Sequence, residues 1–580
     1  MQGDPLGGHW FTLSIQSFMD ALRRHLKDET MIAWIVDDLT VVWPHSELHA
    51  AATFIKQQGC HYGLKLKAAK CKLYSHADPS LDLASHAFEH STQGITKLLG
   101  APVGRVAHNR AAATDRVKQK MKDTAELHRL QDSQIEYQLL KYCLCTRVSH
   151  LTRMLPPSML TEALTAYEAQ VKGELERLVR TPDMPAFNFE IAKQPVRGIG
   201  IGLQDLPLVA EAAYIASQGN TARLASKVKA NNPAFRKVLE HQQADTTLRE
   251  QMANLAEQVN SDTTPTLCPT LTSIEATPSQ HRLAVPLYKA KEKMLIAQAR
   301  NVKQKARLLS QAGQNSGAFL QAQKGVHKFF NFSSSTYRNA LQWRLHLPLE
   351  ATKHMAKCPC NDHTLTLDEL LDGWHFATRC QQTNRTSRHD GIRDVIVALY
   401  KELRQTVGTE PNRLHNFGND RPADVLAFAS VHNTAKHLAL DVAVISPDNV
   451  DKLPAAATQQ YHAAKGKEKA KIKQYENYLG RLNPPETPAS SDYEKVPLVM
   501  ESTGAWGPRM QSWWKDVIKL YNDVEADSGN SRRQKGLAHT WSANSFTSWW
   551  AQRISCTYVR HLIENIERVA KSGAYSHYHA

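Results

Sequence analysis

Two short runs rich in β-branched and aromatic side chains, Met31–Val36 and Leu39–Trp43, flank a single pair of acids, Asp37 and Asp38. Strand-forming runs this close pair as a tight hairpin, which puts both carboxylates at its tip. A turn built for stability alone uses Gly or Asn, because adjacent carboxylates repel. The tip is therefore either a solvated acidic turn or a place where a divalent cation offsets the repulsion. Ahead of the hairpin, Gln2-Gly3-Asp4-Pro5-Leu6-Gly7-Gly8 is a glycine-rich turn. It leads into Phe11, Ile15, Phe18, Met19, Leu22 and Leu26, spaced for one face of a helix. Behind the hairpin come a helical stretch from Ser46 to Gln58, then Gly63-Leu64-Lys65-Leu66, Lys70-Cys71 and Leu98-Leu99-Gly100-Ala101-Pro102.

In this order the motifs resemble the palm of a reverse transcriptase. QGDPL resembles the segment that contacts template and nucleotide, which implies contacts from Gln2 and Gly3. Ile35-Val36-Asp37-Asp38 resembles the catalytic YxDD hairpin, with Ile35 where the family has an aromatic residue; the resemblance makes Asp37 and Asp38 magnesium ligands. GLKLKAAKC resembles the following segment, whose Lys70 would lie near the incoming dNTP, and LLGAPVG resembles the primer-gripping turn. The family has a further aspartate on a strand ahead of the QGDP segment, whereas this sequence starts at Met1-Gln2. Two-metal phosphoryl transfer needs carboxylates from both strands. The expectation is an N-terminally truncated copy with a partial palm over 1–108, in which Asp37 and Asp38 alone bind magnesium poorly and polymerase activity is lost.

A chain of 580 residues is long enough for several domains. The net charge of +15 favours a polyanionic partner. Nine scattered cysteines argue for a reducing compartment rather than a disulfide scaffold. No run approaches the roughly 18 apolar residues of a membrane span, and the first residues lack the charged-then-apolar order of a signal peptide. From Asn109 to Arg180 the pattern is helical, broken at Leu155-Pro156-Pro157; by resemblance, 109–225 is the thumb and helical connection. Gly198-Ile199-Gly200-Ile201-Gly202-Leu203 lacks the full G-x-G-x-x-G of a dinucleotide loop. It resembles instead the GxGL segment ahead of an Ala-rich helix (Ala210 to Ser217) in non-LTR retrotransposon polymerases. The region 226–330 reads as a helical linker, with a Thr/Ser/Pro-rich stretch from Asn260 to Gln280. Lys289, Lys291, Lys293, Arg300, Lys303, Lys305 and Arg307 then follow on a helical pattern, either as a solvated face or as phosphate contacts.

Within 331–385, Cys358, Cys360, His375 and Cys380 give C-x-C-x14-H-x4-C, with three of the nine cysteines inside 23 residues. Thiolates and an imidazole at such offsets suit tetrahedral zinc, with His354 and His363 as alternative ligands. The H-x4-C half resembles the zinc knuckle that follows the polymerase in site-specific non-LTR retrotransposons.

The last segment, 386–580, opens with Arg388-His389-Asp390 and a helix carrying Ile392, Val395, Ile396, Leu399 and Leu403. Asp424 lies in the strand Ala423–Ala429 and Asp441 in Leu438–Ile445. A hairpin turning at His432-Asn433 pairs these two acids directly, with Cα atoms about 4.5–5.5 Å apart. Like charges so placed cost stability unless a cation lies between them, or unless they solvate an exposed face. A strand apolar on both faces fits the exposed alternative poorly. In the next helix Lys465, Lys469 and Lys473 form one stripe and Lys467, Lys471 and Tyr475 another, so only one stripe can face the carboxylates. Helix, PxD strand, D strand and lysine-bearing helix resemble the restriction-like endonuclease of the same retrotransposons. There a K-x-x-K-Y pattern implies a catalytic lysine, with Lys471 and Lys473 as the candidates here. Glu501 is either a further ligand or a helix-capping or packing acid. Trp513, Trp514, Trp549 and Trp550 read as core of the closing helices.

The whole reading is an α+β multidomain chain: partial reverse-transcriptase palm, helical thumb and connection, small zinc knuckle, and α/β restriction-endonuclease-like domain. The resemblance implies target-primed reverse transcription in the nucleus. An RNA template, target DNA and dNTPs would be partners, with no membrane. Mg2+ would serve at Asp37/Asp38 and at Asp424/Asp441, and Zn2+ in the knuckle. The alternative is a decayed copy that only binds nucleic acid.

Overall fold

The computed structural model describes residues 7–26, 31–35, 38–42, 47–75, 88–98, 100–122, 124–228, 279–360, 365–409, 423–428, 436–482, 485–527 and 542–575. These residues form a mixed α and β, multidomain architecture with small sheets. The chain divides into two compact units: residues 1–123, 147–170 and 205–290 in one, and 124–146, 171–204 and 291–580 in the other.

In the first unit the apolar stripe forms the helix Gly7–His25. Its Phe18 and Leu22, with the following Leu26, bury against Ala51 of the helix Leu48–Gln58, and Ile32, Leu39 and Val41 pack on the same cluster. The last three belong to the antiparallel hairpin of β1 (Met31–Ile35) and β2 (Asp38–Val42), in which Ile35 lies opposite Asp38. Asp38 thus opens the second strand instead of sitting in the turn. Its side chain, Asp37, Gln2 and Gly3 lie outside the described residues. Lys70 ends the short 3-10 turn Ala68–Lys70, with its side chain exposed. β3 (Lys72–Tyr74) and β4 (Glu89–Ser91) pair in parallel. β5 (Gly94–Leu98) and β6 (Ala101–Gly104) form a second tight hairpin over the LLGAPVG segment. Gly100, at φ +95°, takes there the left-handed turn conformation that other residues resist. The Pro-Pro break falls where expected: Leu155 is extended, and the helix Pro157–Leu178 starts after it. The linker from Asn260 lies outside the described residues as far as Thr277 and Pro278.

The second unit is built on a four-stranded sheet ordered β10-β9-β8-β7. β7 is Val407–Thr409, β8 Val425–Ala427, β9 His437–Ile445 and β10 Tyr493–Glu501. β7, β8 and β9 pair antiparallel, whereas β10 runs parallel to β9 and is reached through the helix His462–Leu479. β9 is nearly continuous in apolar residues because it is a central strand covered on both sides. The helix Arg385–Glu402 packs against β7, β8 and β9. Asn384 caps it by accepting the Ser387 N–H, and Ile392, Val395, Ile396, Leu399 and Leu403 are all buried. The helices Pro508–Asp527 and Phe546–Tyr575 close the unit, and Trp513, Trp514, Trp549 and Trp550 are buried in it.

The glycine run Gly198–Leu203 is a core loop of this unit. The guanidinium of fully buried Arg344 donates to the carbonyls of Val196, Gly198 and Gly200 at 3.2, 2.6 and 3.2 Å, and to Ser316 Oγ at 2.9 Å. A Cβ at Gly200 would lie 2.0 Å from the Gln194 carbonyl oxygen. The glycines therefore serve close packing, not a phosphate. No helix among the described residues is long and apolar enough to cross a membrane.

Candidate active site and metal centre

The β8–β9 register pairs Val425 with Leu440, and one step further places Asp424 opposite Asp441. The Asp424 N–H donates to the Leu440 carbonyl at 2.9 Å, and the Val442 N–H donates to Asp424 Oδ2 at 2.7 Å. Asp424 also lies in hydrogen-bonding contact with Asp441. Both acids thus share one face, Asp424 just ahead of β8 and Asp441 at the middle of β9, in the register of a hairpin centred at 432–433; the turn itself lies outside the described residues.

Ala443 and Val499, on the same face as Asp441, pack against Ala464 of the lysine-bearing helix. That contact decides which lysine stripe faces the acids. Lys471 reaches Asp441 Oδ1 at 3.0 Å, and Tyr475, one turn on, is buried. Lys465, Lys469 and Lys473 are exposed. The choice left open between Lys471 and Lys473 therefore falls to Lys471. Lys473, two residues on and some 200° around the helix, points away.

Two residues at the site carry no sequence-level assignment. Lys495 of β10 reaches Asp441 Oδ2 at 2.8 Å. His389, in the first turns of its helix, places Nε2 3.0 Å from Asp424 Oδ2 and Nδ1 3.1 Å from Asp390 Oδ1. A lysine leading into the apolar run Val496–Met500 was the available signal for the first, and the run Arg388-His389-Asp390 for the second. Glu501 is not at the site. It lies opposite Ile445, roughly 13 Å along the strand from Asp441's position. Its Oε1 accepts the Ala464 N–H in the first turn of the helix, so the capping alternative holds.

Burial pushes Asp424 up, but the His389 hydrogen bond and charge outweigh it and leave the carboxyl below its ordinary value. His389 is held up to about 9 by its hydrogen bond to Asp424, against burial. Its proton is bound more tightly in the folded chain than in the unfolded one, where the value is about 6.5. The stability it adds is complete below about pH 6.5 and lost as pH rises through 9. Metal-free protein is expected to lose on the order of 2 kcal/mol over that window, allowing for partial solvent screening. Denaturant titrations of wild type and His389→Gln at several pH values check this, since the variant should lack that part of the slope.

The second centre lies in the segment around Cys358 to Cys380. Ligand atoms of Cys358, Cys360, His375 and Cys380 all lie within 4.8 Å of one another, so this cluster could hold a metal ion. Cys358 and Cys380 sulfurs are 3.5 Å apart, and Cys360 Sγ is 3.1 Å from His375 Nε2. The short helix Trp374–Thr378 carries His375, and the Cys380 N–H bonds back to the His375 carbonyl at 3.0 Å. Burial pushes both the Cys358 and Cys380 thiols up, a cost that a bound cation would reverse. Of the alternative ligands, His354 is exposed and His363 lies outside the described residues.

Part of the basic run ahead of this segment is spent on acids. Lys291 pairs with Glu190 and Lys303 with Glu369, while Arg300 lies 3.9 Å from Asp372. Buried Arg307 bridges Asp372 at 2.7 Å and Asp448 at 2.8 Å. Lys289 and Lys293 are exposed. No protein-family model matches the chain, and it has no match among curated proteins.

Proposed function

We propose that the second unit is a magnesium-dependent DNA endonuclease, in a chain that also carries part of a reverse-transcriptase palm. The observation that carries this reading is the Asp424–Asp441 pair on one face of the sheet with Lys471 on it. Two carboxylates suit Mg2+, which is bound through one or two of them plus water and substrate phosphate. When bound, the ion would supply Lewis-acid activation of the phosphodiester. Asp424 and Asp441 would hold it, His389 would orient Asp424, and Lys471 would polarise the attacking water or the scissile phosphate. Water's oxygen bonds to phosphorus and the P–O3′ bond breaks. One proton of the water ends on O3′, leaving a 3′-hydroxyl and a 5′-phosphate. Such a 3′-hydroxyl is what target-primed synthesis on an RNA template, in the nucleus, would extend with dNTPs; Asp37, Asp38 and Lys70 mark the corresponding polymerase hairpin, whose two acids alone would bind magnesium poorly. The support for the polymerase part is the order of its motifs and the helix-hairpin-helix packing around Phe18.

Purified chain is expected to convert supercoiled plasmid to nicked circles with Mg2+ and not with EDTA. Salt-sensitive DNA binding without nicking would instead select a binding protein with no chemistry.

The Cys3His cluster is proposed to be a structural zinc knuckle. Zinc with bonds of about 2.3 Å to sulfur sets its sulfurs about 3.8 Å apart, close to the spacing found without an ion. Metal analysis is expected to give about one zinc per chain, near zero in Cys380→Ser, with chelation lowering the thermal midpoint.

A further inference from the structure

Asp441 is gripped from two sides: Lys471 holds Oδ1 at 3.0 Å and Lys495 holds Oδ2 at 2.8 Å. Asp441 neutralises one of these two ammoniums and Asp424 is already partnered by His389, so the group leaves a positive charge beside the acids. Lys467, one turn before Lys471, adds to it and is itself held below its ordinary value by burial and then by Lys471. Unbalanced cations next to a proposed metal site point to an anionic substrate group.

The two lysines differ in how they are held. Lys471 comes from a helix, and its side chain keeps 22% of its exposure. Lys495 is strand-borne, its side chain is only 6% exposed, and its Nζ lies 5.5 Å from the centroid of the Tyr475 ring. Lys471 and Tyr475 are one helical turn apart, so a single helix face supplies one lysine and supports the other. β10 places Lys495 opposite Ala439, on the same face as Asp441 two residues on. A fixed, desolvated ammonium needs little reorganisation when charge develops on a nearby oxygen.

We propose that Lys495 is a second catalytic lysine, contacting a non-bridging oxygen of the scissile phosphate while Lys471 serves the attacking water. This rests on the nuclease reading above. The bonds made and broken are those given there; Lys495 keeps its proton and stabilises the charge on the phosphoryl oxygens.

The test compares Lys495→Met and Lys495→Gln with wild type in the full chain. Single-turnover plasmid nicking is measured with Mg2+, DNA affinity with Ca2+ in its place, and folding by thermal denaturation. Gln can still donate to Asp441, so it preserves the fold if Met does not. The expected result is folded protein with DNA affinity within about threefold of wild type and nicking at least about 100-fold slower, the scale of losing one preorganised donor. Nicking by either folded variant within about threefold of wild type overturns the role of Lys495 and leaves the nuclease reading intact. Loss of rate only in proportion to unfolded protein also overturns it, since that is a structural ion pair. Silence of wild type with Mg2+ overturns the nuclease reading, and this inference with it.

Discussion

Replacing Asp441 by Asn is expected to lower magnesium-dependent plasmid nicking by about three orders of magnitude or more, and Asp424→Asn by a similar factor. Each carboxylate would supply its own ligand, and Glu501 is too far to replace it, roughly 13 Å along the strand and capping a helix. Asn keeps the size and one acceptor oxygen but removes the charge that draws the cation. Both changes should lower stability at neutral pH, but their pH dependence should differ. Asp441→Asn leaves Lys471 and Lys495 facing a neutral amide, so like charges crowd and stability should fall. Asp424→Asn removes the acid that holds the His389 proton, so the alkaline loss of stability should shrink as it does in His389→Gln. Nicking assays paired with denaturation at pH 7 and 9 separate the effects. A folded Asp441→Asn protein that still nicks at wild-type rate would sink the site.

The largest effect on stability is expected at Arg344. Its guanidinium is fully buried and serves three loop carbonyls and Ser316 Oγ. Burial pushes it down to about 9, so the surrounding dipoles do not fully replace water. Arg344→Met fills similar space but strands those carbonyls in the core, each worth roughly 1–3 kcal/mol when left unpaired. A loss of about 4 kcal/mol or more is expected, enough to show as insoluble or protease-sensitive protein. Arg344→Lys should rescue little, since a single ammonium cannot span the fork. Denaturant titration, or the soluble yield where the variant does not fold, reads the result.

Local rules made much of the candidate site legible. Side chains in a strand alternate strictly, so choosing a turn centre determined that Asp424 and Asp441 share a face. The helix advances 100° per residue, so the lysines had to split into two stripes. What stayed hidden depends on contacts between distant segments. Lys495 reaches Asp441 only because β10 pairs in parallel with β9, and nothing in its own neighbourhood fixes that register. His389 meets Asp424 through the docking of its helix on the sheet. The glycine run invites a nucleotide, yet its carbonyls are turned toward an arginine more than a hundred residues away in sequence.

The parallel strand also bears on the order in which the candidate site is assembled. The two acids come from antiparallel neighbours close in sequence. Lys495 arrives only after the crossover helix has been made and folded back, and closing that longer loop is slower. A chain ended before β10 would lack Lys495, the buried counter-charge of Asp441.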